Sequence, residues 1–135
     1  MTDFIRQRQT QRYRDFDFNF TAHPVSGDLS MLSHENSIKQ SLKNLVRLNF
    51  FEFPFEPSLG SGVPGVLFNN INSTTEADIS EKIQTVIKSY EPRVEIISVD
   101  TSSVPDENRV DCRVEYYMIN DPRPMTVDFV LNRNR

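Results

Sequence analysis

The chain reads as an α+β domain. Two main helices pack on a small antiparallel sheet of three to four strands, behind an extended N-terminal arm. Three observations predict this. Apolar residues recur at helical spacing in two separate stretches. From Val94 onward the period changes to the two-residue alternation of strands. Between the two regimes stands Tyr90-Glu91-Pro92-Arg93, where a proline stops the helix because it lacks an N–H and collides with the preceding turn.

The totals narrow the class. A chain of 135 residues suits one domain with an arm, and buries roughly two thirds of its unfolded surface without staples. A net charge of −4 argues against an electrostatic nucleic-acid binder, which would carry a basic face. The single cysteine, Cys112, rules out an internal disulfide framework and fits a reducing compartment. No apolar run is long enough to span a bilayer, and Met1–Arg6 lacks the apolar stretch of a secretory signal. The expectation is a protein that folds in a cytoplasm-like solution until it is assembled.

Residues 1–32 read as the arm. Arg6, Arg8, Arg12 and Arg14 precede Phe16-Asp17-Phe18-Asn19-Phe20, a strand-like alternation with three rings on one side. It either joins the chain's own sheet as a fourth strand or serves a partner. The single domain covers 33–135. Its first helix is predicted from about His34 to Leu48, with Ile38, Leu42, Leu45 and Val46 as the buried stripe. Ser37 and Gln40 have capping-box spacing, and Lys39, Lys43 and Arg47 lie off the stripe.

Asn49 to Asn72 is a connector rich in aromatics, proline and glycine. Phe50, Phe51, Phe53, Phe55 and Phe68 are too many rings for an exposed loop, so an ordered loop packed over the helices is expected, with a short helix near Val66–Ile71. The second helix is predicted from Thr75 as N-cap, along Ile79, Ile83, Val86, Ile87 and Tyr90. Strands follow: Val94–Thr101, then Arg109–Ile119 with Val110, Cys112, Val114, Tyr116 and Met118 on one face. The last strand turns Met125, Val127, Phe129 and Leu131 inward and runs into Asn132. A small sheet leaves edges that are either blunted or used to accept a strand of another chain. This last strand is the expected participant.

At the corner, Glu91 is pushed out of the helical region by Pro92, so Glu91 and Arg93 point to one side. Two readings stay open. The pair is an incidental surface ion pair at a helix stop, or a rigid docking tooth that uses the guanidinium fork.

Catalytic chemistry finds little support. His23 and His34 lack metal-ligand spacing, and one cysteine makes no structural zinc site. No GxSxG elbow and no phosphate-binding GxxxxGK[ST] loop occurs. Cys112 alternates with core residues and reads as a buried, unreactive thiol. Glu52 and Glu56, in an apolar connector, are the one carboxylate pair that could act on a glycoside. Neither a catalytic residue nor a cofactor is assigned.

Taken together, these residues resemble a known family. Phe16-Asp17-Phe18-Asn19-Phe20, His23-Pro24 with Gly27-Asp28, Ser41-Leu42-Lys43-Asn44-Leu45, Pro54-Phe55 with Pro57 and Leu59-Gly60, Leu67-Phe68 and Tyr90-Glu91-Pro92-Arg93 are similar to the baseplate wedge, or sheath-initiator, proteins of contractile phage tails. The likeness is nearest to the T4-like kind. Members have carried the label "lysozyme-like" and have a counterpart in type VI secretion baseplates. One departure is Phe53, where relatives usually have an arginine. The resemblance implies a sheath-domain-like fold, that of the small α+β domain with which tail-sheath subunits interlock, and a structural protein of the virion tail baseplate, assembled in the host cytoplasm, with no nucleic-acid or membrane partner. It implies that Glu91, Pro92 and Arg93 dock on the wedge core bundle or a neighbouring wedge protein. Phe53, Pro54, Phe55 and Pro57 would also be covered by neighbours. The strand carrying Met125, Val127, Phe129, Leu131 and Asn132 would template the tail sheath by strand exchange, and a contact with the tail tube surface stays open. The alternative is a lysozyme-like hydrolase acting on peptidoglycan during penetration.

Overall fold

A computed structural model describes residues 14–16, 20–22, 24–28, 31–33, 35–70, 72–119 and 121–133. Its elements run β1 (Arg14–Phe16), β2 (Met31–Ser33), α1 (Glu35–Arg47), α2 (Val63–Val66), α3 (Ser73–Tyr90), β3 (Val94–Val104), β4 (Arg109–Met118) and β5 (Pro124–Asn132). Two compact units divide the chain, Met1–Ser37 and Ile38–Arg135.

In the first unit β1 pairs antiparallel with β2, Asp15 opposite Leu32. The arm thus holds a paired strand at Arg14–Phe16, while 17–19 of the predicted Phe16–Phe20 strand lie outside the described residues; among the described residues the C-terminal sheet has three strands. Phe20 is exposed. Phe18, the arginines at 6, 8 and 12, and both histidines lie outside the described residues.

In the second unit the sheet order is β3-β4-β5, antiparallel throughout. Strand alternation puts Val110, Cys112, Val114, Tyr116 and Met118 of β4 on the buried face, beside Met125, Val127, Phe129 and Leu131 of β5. Ile79, Ile83, Val86 and Ile87 of α3 are buried at the predicted helical spacing. So are Ile38, Leu42 and Val46 of α1, each such side chain contributing about 1.5–3 kcal/mol. A register shift between Ile96 and Ser98 makes β3 bulge, and Ile97 is exposed there. Among the described residues no helix is long and apolar enough to cross a membrane.

Four local expectations are corrected. Ser37 lies inside α1 rather than at its cap. The N-cap of α3 is Asn72, whose Oδ1 accepts from the Thr75 amide at 2.9 Å and from the Thr75 hydroxyl at 3.0 Å. Asparagine competes as well as threonine for that position, and the cap lies three residues earlier than predicted. The short helix of the connector is Val63–Val66, because Pro64 suits a first helical turn. Finally, the connector rings are not covered: Phe51 is 83% and Phe55 101% exposed, with Phe50, Phe53 and Phe68 also on the surface.

Candidate functional site

Three places carry the residues singled out above: the corner after α3, the connector, and the outer edge of β5.

At the corner, α3 ends as expected. The Glu91 amide donates to the Ile87 carbonyl at 2.9 Å and Glu91 then leaves helical geometry, with φ −123°. Glu91 and Arg93 do lie on one side. Arg93 Nε donates to Glu91 Oε1 at 2.5 Å and a terminal nitrogen to Oε2 at 2.7 Å, a two-pronged pair. The third member is absent from the sequence reading. Ser41 Oγ of α1 donates to Glu91 Oε2 at 2.7 Å, and Glu91 is only 3% exposed. Burial pushes its carboxyl up. The bonds from Arg93 and Ser41, with the guanidinium's charge, outweigh that and leave it below its ordinary value of 4.5. Glu91 is therefore neither an incidental surface ion nor an exposed tooth. It ties α1 to the start of the sheet, and the parts of the corner on the surface are Pro92 and a side of Arg93.

The connector folds on itself. Phe51 N–H donates to the Pro57 carbonyl and Leu59 N–H to that of Glu56, each at 3.0 Å. Its base is held by Ser61, a buried residue the sequence reading missed. The Ser61 hydroxyl donates to the Val46 carbonyl at 2.6 Å and accepts the Val63 amide at 3.1 Å, satisfying groups freed at the end of α1. Gly60 is required beside it, since a Cβ there would lie 2.7 Å from the backbone of Asn49 and Phe50. The Tyr90 hydroxyl donates to the Ser58 carbonyl at 3.1 Å, which brings connector and corner together. Phe53, Pro54, Phe55 and Pro57 are all exposed. Glu52 and Glu56 are exposed too, without the apolar surroundings that acid catalysis on a glycoside needs.

The sheet has two unlike edges. Ser80 Oγ of α3 donates to the Val99 carbonyl at 3.2 Å, and the Ser103 amide donates to Glu76 Oε1 at 2.9 Å. The Ser103 hydroxyl bonds the same oxygen, and Glu76 is held below its ordinary 4.5 by these two bonds. Val99 and Ser103 thus turn their backbone groups away from β4. Antiparallel ladders alternate, so their β4 partners Val114 and Val110 turn toward β5. Val127 and Leu131 bond back to them, while Thr126, Asp128, Val130 and Asn132 turn outward. The Arg133 amide on the Asn108 carbonyl, 2.9 Å, keeps the same alternation. Among the described residues nothing hydrogen-bonds to those outward groups. Pro124, also outward, has no N–H to offer. Met125, Val127, Phe129 and Leu131 are core side chains, so what this strand leaves open at its edge is backbone. Asp128 Oδ1 accepts from Arg113 Nε at 2.7 Å on the outer face. Cys112 is buried, and burial with the Asp111 charge pushes its thiol up to about 12, which removes it as a nucleophile.

Comparison with known proteins now decides the class. Residues 32–123 match the family described as baseplate wedge protein gp25. The chain belongs to this family. The gp25 baseplate wedge protein of Enterobacteria phage T4 is 26% identical over 95 residues, covering 70% of this chain and 72% of that protein. Among solved structures, a Geobacter sulfurreducens chain called a tail lysozyme matches with TM-score 0.69 and 24% identity, over 75% of this chain and 92% of that one. A chain of the anti-feeding prophage baseplate gives 0.62 and 21%, over 92% and 88%. One of the postcontracted pyocin R2 baseplate gives 0.57 and 19%, over 73% and 96%. These structures share the α+β fold. As a gp25-family member the chain is a structural component of a contractile-tail baseplate wedge, sited in the virion tail baseplate among other wedge proteins.

Proposed function

We propose that this baseplate wedge protein is a non-enzymatic template: it docks on the wedge core and starts the tail sheath by accepting a sheath strand on β5. The observation that carries the reading is the unsatisfied outer edge of β5, at Thr126, Asp128, Val130 and Asn132, next to an edge that is closed. Main-chain pairing there would fix the sheath subunit in one register. Docking on the core bundle, or on a neighbouring wedge protein, falls to Phe53, Pro54, Phe55 and Pro57. Their exposed rings are hydrophobic anchors set on a loop that holds its own shape. Glu91 supports that docking from beneath, by fixing the corner to which Tyr90 and the connector are tied. Residues 1–32 act as a separate partner-binding arm before the domain at 33–135.

The test is assembly in vitro with the cognate wedge and sheath proteins. Phe53→Ser with Phe55→Ser should keep the fold and fail to enter wedges. Val130→Pro should enter wedges and fail to start sheath. Normal sheath growth on Val130→Pro baseplates would contradict the template role. The name of the Geobacter relative keeps one rival in view, a peptidoglycan hydrolase using Glu52 and Glu56. It predicts cell-wall turnover that Glu52→Gln or Glu56→Gln abolishes; purified chain without turnover disposes of it.

A further inference from the structure

The open edge of β5 lies between charges of opposite sign. We infer, on the reading of β5 given above, that the strand it accepts is acidic on the side facing α1, where Lys39 and Lys43 receive its carboxylates.

The helix places the two lysines. Ile38, Leu42 and Val46 turn α1 onto the core, and Lys39 and Lys43 each follow a buried residue by one position. At four-residue spacing they share one flank of the helix, and both are half-buried. That flank overlooks β5. The Asp128 carboxyl is held below its ordinary 3.8, first by the bond from Arg113, against burial, and then by the charges of Arg113, Lys43 and Lys39. Asp128 is on the exposed face of β5 and α1 packs on the buried face, so the lysines act on it past the free edge. The carboxylate itself is engaged, accepting from Arg113 Nε at 2.7 Å. Two cations therefore stand on the α1 side of the edge and one carboxylate on the other.

An entering strand meets both sides at once. Its side chains alternate. Those beside Met125, Val127, Phe129 and Leu131 point toward α1, and those beside Thr126, Asp128 and Val130 point to the outer face. A carboxylate in the first set meets Lys39 and Lys43. A carboxylate directly opposite Asp128 meets a like charge, which destabilises a cross-strand pair. A slip of one residue exchanges the two sets. Backbone pairing alone accepts either set, so charge decides which face of the strand turns toward α1.

The experiment is the rate of sheath start on assembled baseplates, with the cognate sheath protein, across a salt series. Lys39→Glu with Lys43→Glu should enter wedges as the parent does and start sheath about tenfold slower at low salt. The two rates should converge as salt rises, because screening weakens exposed charge interactions. Lys39→Arg with Lys43→Arg keeps the charge and should track the parent. A charge-reversed variant that starts sheath at the parent's rate overturns the inference. So does one that is equally slow at every salt concentration, or one that fails to enter wedges. Should the double reversal loosen the fold, Lys43→Gln decides. It should start sheath about threefold slower, the range of one exposed charge pair, and lose the difference in salt. Lysines also repel strands from sheet edges; a Lys43→Gln start as fast as the parent's, or faster, would give them that role and overturn the inference. Failure of the β5 reading shows separately. Val130→Pro baseplates, with both lysines in place, would then still start sheath, and the inference would fall with that reading. A block by Val130→Pro beside an unaffected charge reversal removes the inference alone.

Discussion

Some polar groups of this chain are satisfied by the chain itself, and others, among the described residues, have no partner within it. Glu91 takes two bonds from Arg93 and one from Ser41, and the β3 edge takes its partners from α3. Among the described residues the β5 edge and the connector rings have no such cover. The difference teaches that a conspicuous motif can be held from within. Glu91-Pro92-Arg93 is the most recognisable triplet in the sequence, yet its carboxylate faces inward. Changes in the closed places should reduce stability, and changes in the open places should reduce assembly alone.

The largest effect expected is on the closed side. Glu91→Ala leaves Arg93 and Ser41 without their partner and should lower unfolding free energy by roughly 2–3 kcal/mol. That is less than the full cost of stranding a buried charge, because Arg93 is 26% exposed. Chemical denaturation measures it. A loss below about 0.5 kcal/mol, the range of ordinary surface changes, would return Glu91 to the surface and break the contrast.

The same group gives a pH dependence. Its folded value lies below the ordinary 4.5, so just below pH 4.5 the unfolded chain binds more protons than the folded one. The stability it contributes is complete above that value and is lost as pH falls through the folded one. Glu91→Gln should flatten this part of the acid limb of the stability curve, while Asp128→Asn, at an exposed site, should alter it less.

On the open side, Thr126→Pro and Val127→Pro separate the two sides of β5. Val127 donates toward β4, so proline there should cost roughly 2 kcal/mol through a lost ladder bond and a buried carbonyl left unsatisfied. Thr126→Pro should stay within about 1 kcal/mol and still block sheath recruitment. Phe55→Ser should change stability by less than about 0.5 kcal/mol and weaken wedge entry.

The legible parts of the fold are those set by near neighbours in sequence. Pro92 ends a helix whatever surrounds it, and the alternation from Val110 to Met118 marks one strand face. The burial of Glu91 is not legible, because Ser41 lies 50 residues away. Ser61 carries no local signal either, since its role depends on where α1 ends. The connector rings mislead for another reason. Hydrophobicity implies a cover without saying whether it belongs to the same chain, and here the rings stay exposed on a loop closed by its own backbone. The cover that closes one edge of the sheet comes from α3, which no strand pattern shows.

Hydrogen exchange at the outward amides of β5 tests the central claim most directly. In the isolated chain, Thr126, Asp128, Val130 and Asn132 should exchange fast while Val127, Phe129 and Leu131 are protected. In baseplates carrying the first sheath ring the outward set should become protected as well. Outward amides that exchange equally fast before and after sheath addition would contradict strand acceptance at this edge.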